Sequence, residues 1–511
     1  MLVVIVVGMQ STFATDVRYL ELRAHLQQLD DVKSALGVLY WDQNTYMPTQ
    51  GASSRGRHIA TLTKIAHEAL TQPRVGELIE LLSGVAKDLP ADSIEASYLR
   101  VAKRDHLRAV QVPADFVAKL SAHQSETYEV WGRARASSNF ALVRSHLEKT
   151  VDLSRQLGSF YKGYASPADA LIDESDAGMT SASLKKLFSE LRAELVPLVE
   201  EVLSRPPADD SCLHAEFPEG EQLAFCRTVA AKMGYDFKRG RLDLTLHPFM
   251  IGFGVDDVRI LTRVRETDLS DALFSTVHEA GHAFYEMGMD PAFEGTHLRG
   301  GASTGLHESQ SRLWENIVAR SRGFWEYFYP QLQSCFGSQL GKVSLDTFYK
   351  AINKVSRSLI RTDADELTYN LHVMIRFDLE QQMLEGTLKV ADLPEAWNAR
   401  YQSDLGIRPP SDKDGCLQDV HWYGGTVGGY FQGYTLGNIL SAQFYAGACK
   451  AHPSIPDDIR RGHFEQLHSW LRAHLYRHGR KWEAPEMIKR ALGEELSIKP
   501  YMSYLRGKYL A

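Results

Sequence analysis

Residues 270–288 read SDALFSTVHEAGHAFYEMG, and this stretch carries the signals of one helix. Ser270 offers an N-cap hydroxyl, Asp271 opens the first turn, Glu286 closes the last and Gly288 stops it. Ala272, Val277, Ala280 and Phe284 fall at helical spacing and are available for packing. At ~100° per residue, positions four apart differ by only ~40° around the axis. His278 and His282 therefore project from one face as a pair of imidazoles, with Glu279 beside them. This H-E-x-x-H pattern occurs once. With 19 histidines in the chain, a chance occurrence has odds on the order of one in twenty, so context must carry the argument. Gly281 adds some: glycine is less favourable than alanine inside a helix by ~1 kcal/mol, and its presence is explained if another segment approaches closely.

The same period runs outward in both directions, as at Leu20, Leu22, Leu26 and Leu29, and at Leu187, Leu191, Leu195, Leu198 and Val199. Breaks are short: Met47-Pro48, Arg205-Pro206-Pro207, Pro409-Pro410, and the glycine groups at 299–305 and 423–433. The fold class is mainly α. With no linker or repeat, the expected organisation is a loose extension over residues 1–15 and a single domain over 16–511, whose helices can form two lobes. Two runs depart from helical spacing. Leu242, Leu244 and Leu246 alternate with polar residues, and Val258, Ile260, Thr262 and Val264 alternate with Arg259, Leu261, Arg263 and Arg265. They predict two short strands, the second with a solvated arginine edge.

The chain has 511 residues, 44% hydrophobic and 24% charged, enough to bury a large core. A net charge of −7 lacks the basic surplus of a nucleic-acid binder. The apolar run Leu2 to Val7 has no basic residue before it and is far shorter than the ~18 residues of a membrane span. Five widely separated cysteines, never in a C-x-x-C pair, point to a reducing, cytoplasmic setting.

A catalytic zinc takes three protein ligands and leaves one position open. The metzincin spacing would place a third histidine at 288, which is glycine. Two carboxylates remain. Glu286 lies one turn beyond His282, where helical drift turns it away from His278. Glu308, opening the next helix after a glycine-rich loop that can fold back, is preferred. A divalent ion with two neutral imidazoles and one carboxylate keeps a net charge of +1, suited to polarising a carbonyl and acidifying water; Glu279 then serves as general base. The chemistry is amide hydrolysis. His463, His468, His474 and His478 stand among arginines and read as a solvated basic face.

Several ordered segments then match one family together: His247-Pro248-Phe249, Asp257-Val258-Arg259, the H-E-x-x-H, His307-Glu308-Ser309-Gln310, Ile360-Arg361-Thr362-Asp363-Ala364-Asp365 and Gly415-Cys416-Leu417-Gln418-Asp419-Val420-His421-Trp422. From about Val17, through Leu39-Tyr40-Trp41-Asp42, to the C-terminus, the chain resembles the carboxypeptidase Taq family of metallocarboxypeptidases. The resemblance implies a large helical metallopeptidase fold with a small β-sheet beside a deep active-site groove. It further implies a homodimer, one Zn²⁺ or Co²⁺ per subunit, and release of single amino acids from peptide C-termini. By the same resemblance His278, His282 and Glu308 hold the metal and Glu279 is catalytic. The family's D-x-R-x-T motif is imperfect, with Leu261 at the threonine position. Substrate contacts are expected from His247, Gln418, Arg361 as the clamp for the terminal carboxylate and Arg259 as a second cation. His421 and Tyr423 are candidate donors to the developing oxyanion, and the glycines from Gly424 to Gly429 a mobile or closely approaching groove wall. The alternatives are an oligopeptidase or endopeptidase using the same metal site, and a metal-binding scaffold without turnover.

Overall fold

The computed structural model describes residues 13–510. The expected extension lies mostly outside the described residues, but its last part is packed: Phe13 is buried, with its ring 5.2 Å from Tyr19. Helix α1 (Val17–Gln43), capped by Asp16, buries Leu22, Leu26 and Leu29 and leaves Leu20 in solvent. Among the described residues, no helix is long and apolar enough to cross a membrane.

The chain is mainly helical with one three-stranded sheet, β1 (Leu242–Leu244), β2 (Phe249–Gly254) and β3 (Asp257–Thr262), in the order β1-β3-β2. Alternation in the sequence reveals β1 and β3 but not β2, whose FMIGFG run has no polar residue on either face and so no apolar–polar alternation. The added strand also corrects the expected arginine edge. β3 is the central strand, parallel to β1 and antiparallel to β2, not an edge. Arg259 forks onto Asp257 and stacks over Trp41 and Phe253, while Arg263 and Arg265 lie past the strand and share Asp271.

Helix α2 (Leu269–Gly288) follows the sheet. Its cap is Asp268, not Ser270: the Asp268 carboxylate accepts from the backbone N–H of Ser270 at 2.9 Å and from its hydroxyl at 2.6 Å. Ala272, Val277, Ala280 and Phe284 are buried, but so are Phe274, Thr276 and Tyr285, making α2 a central helix packed nearly all round. Behind it lies α3 (Thr304–Arg312), capped by Ser303, and the chain then widens into a π-helical turn, Leu313–Ala319. Two further helices complete the surroundings, α4 (Tyr369–Glu385) and α5 (Gln432–Ala451).

Glycine sets how closely these helices cross. A Cβ on Gly281 would lie 2.6 Å from the Gln310 carbonyl oxygen, so α2 and α3 touch backbone to backbone, as that glycine predicts. A Cβ on Gly437 of α5 would sit 2.5 Å from Glu308 Cγ. α3 is thus clasped between α2 and α5, and Glu308 is pressed toward the histidine pair.

Candidate metal centre and active-site groove

His278, His282 and Glu308 are, among the described residues, the group of three metal-ligating side chains brought together, their ligand atoms all within 4.8 Å of one another. The Nε2 atoms of His278 and His282 lie 3.6 and 3.3 Å from Glu308 Oε2. Bonds of ~2.0 to 2.1 Å in a tetrahedral site imply ligand separations of ~3.3 Å, so both edges fit a small divalent cation with an open fourth position. Glu286 points elsewhere: its Oε1 lies 2.9 Å from His307 Nε2, as the helical phase requires.

Each of the three side chains is held from behind. His278 Nδ1 is 2.8 Å from Glu315 Oε2, His282 Nδ1 is 2.6 Å from His307 Nδ1, and Glu308 Oε1 accepts from Arg312 Nε at 2.7 Å. Burial pushes the Glu308 carboxyl up, but Arg312 and the two histidines outweigh it and hold the group well below the usual range, hence ionised. Burial and the neighbouring His307 lower His282 to about 3, leaving a neutral imidazole fit to coordinate. Burial raises Glu279 to about 7, against the pull of His278. His307 and Glu315 both stand close to Glu308 in the sequence, yet no periodic signal marks either as a support for a histidine some thirty residues away.

The centre opens into a groove of about 1290 Å³ lined by α2, α3, the start of β2 and the loops before α4 and α5. Exposed His247 and buried Arg361 line it. Arg361 pairs not with the aspartates of its own segment but with Asp419, through Nε at 3.0 Å and Nη2 at 2.8 Å, while Nη1 donates to Tyr369 at 3.0 Å. Fully buried Arg376 also pairs with Asp419, so two guanidiniums share one carboxylate and only Arg361 reaches the groove.

Other expected contacts fall elsewhere. Arg259 is not on the groove wall, and Leu261 is buried in the sheet. Gln418 is spent inside the protein: its oxygen accepts from Arg361 N and Arg376 Nη2, and its nitrogen donates to the Leu359 and Asp414 carbonyls. Tyr423 is fully buried off the groove and donates to the Cys416 carbonyl at 3.0 Å. His421 does line the groove, but its Nδ1 faces Asp419 at 3.2 Å; a neutral ring so held presents an accepting Nε2, not a donor. The glycine wall is a packed turn: a Cβ on Gly428 or Gly429, both at positive φ, would meet Leu384 or the Leu171 carbonyl at 2.6 and 2.5 Å. Nor do the four late histidines form one basic face. His463 is exposed, whereas His468 stacks on Trp314 at 4.5 Å and donates to the Met233 carbonyl.

Fold and site together define a mainly helical metallopeptidase. Comparison with known proteins carries this further. The profile of the carboxypeptidase Taq (M32) metallopeptidases matches residues 21–509. Thermostable carboxypeptidase 1 of Thermus thermophilus is 38% identical, covering 94% of this chain and 96% of its own, and carboxypeptidase 1 of Bacillus subtilis 36%, covering 95% and 96%. The crystal structure of the M32 carboxypeptidase from Deinococcus radiodurans R1 superposes with a TM-score of 0.94 at 49% identity, over 97% of this chain and 99% of that one. The chain belongs to the M32 metallocarboxypeptidase family.

Proposed function

We propose that this enzyme removes single amino acids from the C-termini of peptides, using a divalent ion, zinc or cobalt, held one per subunit by His278, His282 and Glu308. The observation that carries the reading is the convergence of both Nε2 atoms on Glu308 Oε2 in the same groove as buried Glu279. When bound, the ion would polarise the scissile carbonyl and acidify a water. Glu279 takes the proton of the attacking water and returns it to the leaving amine, a role that its place on the groove wall beside His278 allows. Arg361 receives the substrate's terminal carboxylate. Nε and one Nη2 hydrogen are tied to Asp419 and one Nη1 hydrogen to Tyr369, which leaves one hydrogen on each terminal nitrogen for a carboxylate, and the surplus charge of the Arg361–Arg376–Asp419 cluster favours an anion there. His247 lines the same groove and is a contact for the rest of the peptide.

A homodimer is part of the same proposal, supported by the family motifs, and a cytoplasmic setting by five unpaired cysteines. The test is mass spectrometry of a defined peptide incubated with the enzyme, with and without a chelator, and again with the C-terminus amidated. Stepwise loss of C-terminal residues, abolished by chelation and by amidation, is expected. Internal cleavage that ignores the terminus would overturn the exopeptidase reading.

A further inference from the structure

We infer that Glu286, acting through His307, sets the tautomer of His282 and so keeps its Nε2 lone pair turned toward Glu308. The inference rests on the proposed ligand set and assigns the positioning residues of one ligand. Two contacts form a chain, Glu286 Oε1 to His307 Nε2 at 2.9 Å and His307 Nδ1 to His282 Nδ1 at 2.6 Å; beyond it His282 Nε2 and Glu308 Oε2, 3.3 Å apart, are two corners of the proposed metal position and not a further link.

The proton placement follows from donors and acceptors. An ionised carboxylate only accepts, so His307 carries its proton on Nε2. Its Nδ1 then holds a lone pair, and the contact to His282 requires the proton on His282 Nδ1. That leaves His282 Nε2 unprotonated on the side where it can coordinate. Reversing either the Glu286–His307 or the His307–His282 contact puts a proton on His282 Nε2, where it blocks the metal.

The surroundings fix the chain in place. Glu286 and His282 are four apart on α2, while His307 precedes Glu308 on α3, so the relay clips the two crossing helices together. Tyr285 stacks on the His307 ring at 5.4 Å, and a Cβ on Gly301 would meet His307 Cδ2 at 2.6 Å. Glu286 is itself nine-tenths buried. His278 needs no such intermediary because Glu315 reaches its Nδ1 directly. The two histidine ligands are thus oriented by different means, one by a carboxylate and one by a carboxylate acting through an imidazole.

The test measures Zn²⁺ affinity by chelator competition, with the absorption spectrum of the Co²⁺ form as a second readout and thermal unfolding of the metal-free protein as the folding control. Glu286→Ala is expected to weaken Zn²⁺ binding roughly 10- to 100-fold and to shift the Co²⁺ bands. His307→Asn places Oδ1 where the ring Nδ1 stood; it accepts from His282 without needing Glu286, and is expected to hold affinity within roughly threefold, well short of the loss that follows when a ligand's supporting hydrogen bond is removed. Glu286→Ala in the His307→Asn background should then add nothing. Unchanged affinity in Glu286→Ala, or an equal loss in both backgrounds, overturns the relay. If Glu286→Ala fails to fold, Glu286→Gln replaces it, since its amide can donate to His307 and reverse the chain. The ligand reading itself is judged separately: it fails if His278→Ala keeps full Zn²⁺ affinity.

Discussion

Glu315 Oε2 lies 2.8 Å from His278 Nδ1, and the same carboxylate is held by Arg312 and Arg320, each at 3.4 Å. Burial pushes Glu315 up, but its bond to His278 and the charge of Arg312 bring it down to about 2. His278 is therefore backed by a permanent negative charge, delivered from the π-helical turn after α3. Glu315→Gln should lower metal affinity roughly 10- to 100-fold while the apo fold survives. Chelator competition checks the first part and circular dichroism the second.

Glu279→Gln should retain the metal and lose kcat by roughly 10²- to 10⁴-fold, because the amide can hydrogen bond but cannot accept the proton. Metal content and steady-state kinetics on the same preparation separate the two effects. A near wild-type rate would remove Glu279 from the mechanism.

Gly281→Ala tests the helix crossing. Alanine favours the helix by ~1 kcal/mol, yet its Cβ would lie 2.6 Å from the Gln310 oxygen and 2.7 Å from Ser311 Cα, and backbone cannot swing aside. Overpacking of this kind costs about 1 to 3 kcal/mol. A lower unfolding temperature is expected together with weaker metal binding, since α3 carries Glu308. A stabilised variant with unchanged affinity would contradict the geometry.

Arg361→Ala should cut kcat/KM on a free-acid peptide by roughly 30- to 1000-fold, the range for one charge-assisted contact. Amidation should cost the wild type a similar factor and the variant little more, because both changes break the same contact. Arg361→Lys keeps the charge and loses the fork, and should fall between. Additive losses from variant and amidation would place the carboxylate elsewhere.

Glu380 gives a pH signature away from the metal. It is buried on α4 with Trp422 Nε1 donating to it at 2.6 Å, and burial raises it to about 8 from an ordinary 4.5. Between those values the folded protein keeps a proton that the unfolded chain releases. Its contribution to stability is therefore full below about pH 4.5 and is lost as pH rises toward 8, falling by ~1.4 kcal/mol for each pH unit in between. Glu380→Gln removes the proton from the balance, so the variant should gain on the wild type as pH rises across that window. Urea unfolding at both ends of the window measures it; a constant difference would rule out a raised Glu380.

Short-range periodicity was legible without any structure. The four-residue spacing put His278 and His282 on one face of α2, the mid-helix Gly281 announced a close neighbour, and the same phase that joins the histidines turns Glu286 away from them. Those are properties of a single helix and hold wherever it is packed. β2 stayed hidden because it has no polar residue to alternate with its apolar ones, and the Asp268 cap was displaced by two residues because Asp268 and Ser270 are both good caps.

Every pairing between distant segments came instead from the way the helices pack. Glu308 reaches the histidines because glycines on α2 and α5 let the backbones close around α3. Arg361 met Asp419, fifty-eight residues away, in preference to the aspartates beside it. Gln418 and Tyr423, in or beside the same motif as groove-lining His421, were turned inward to satisfy buried donors and carbonyls. A motif fixes which residue types are near one another along the chain. Which of them faces the groove depends on buried hydrogen bonds and charges that must be paired across the fold, and no local period records that.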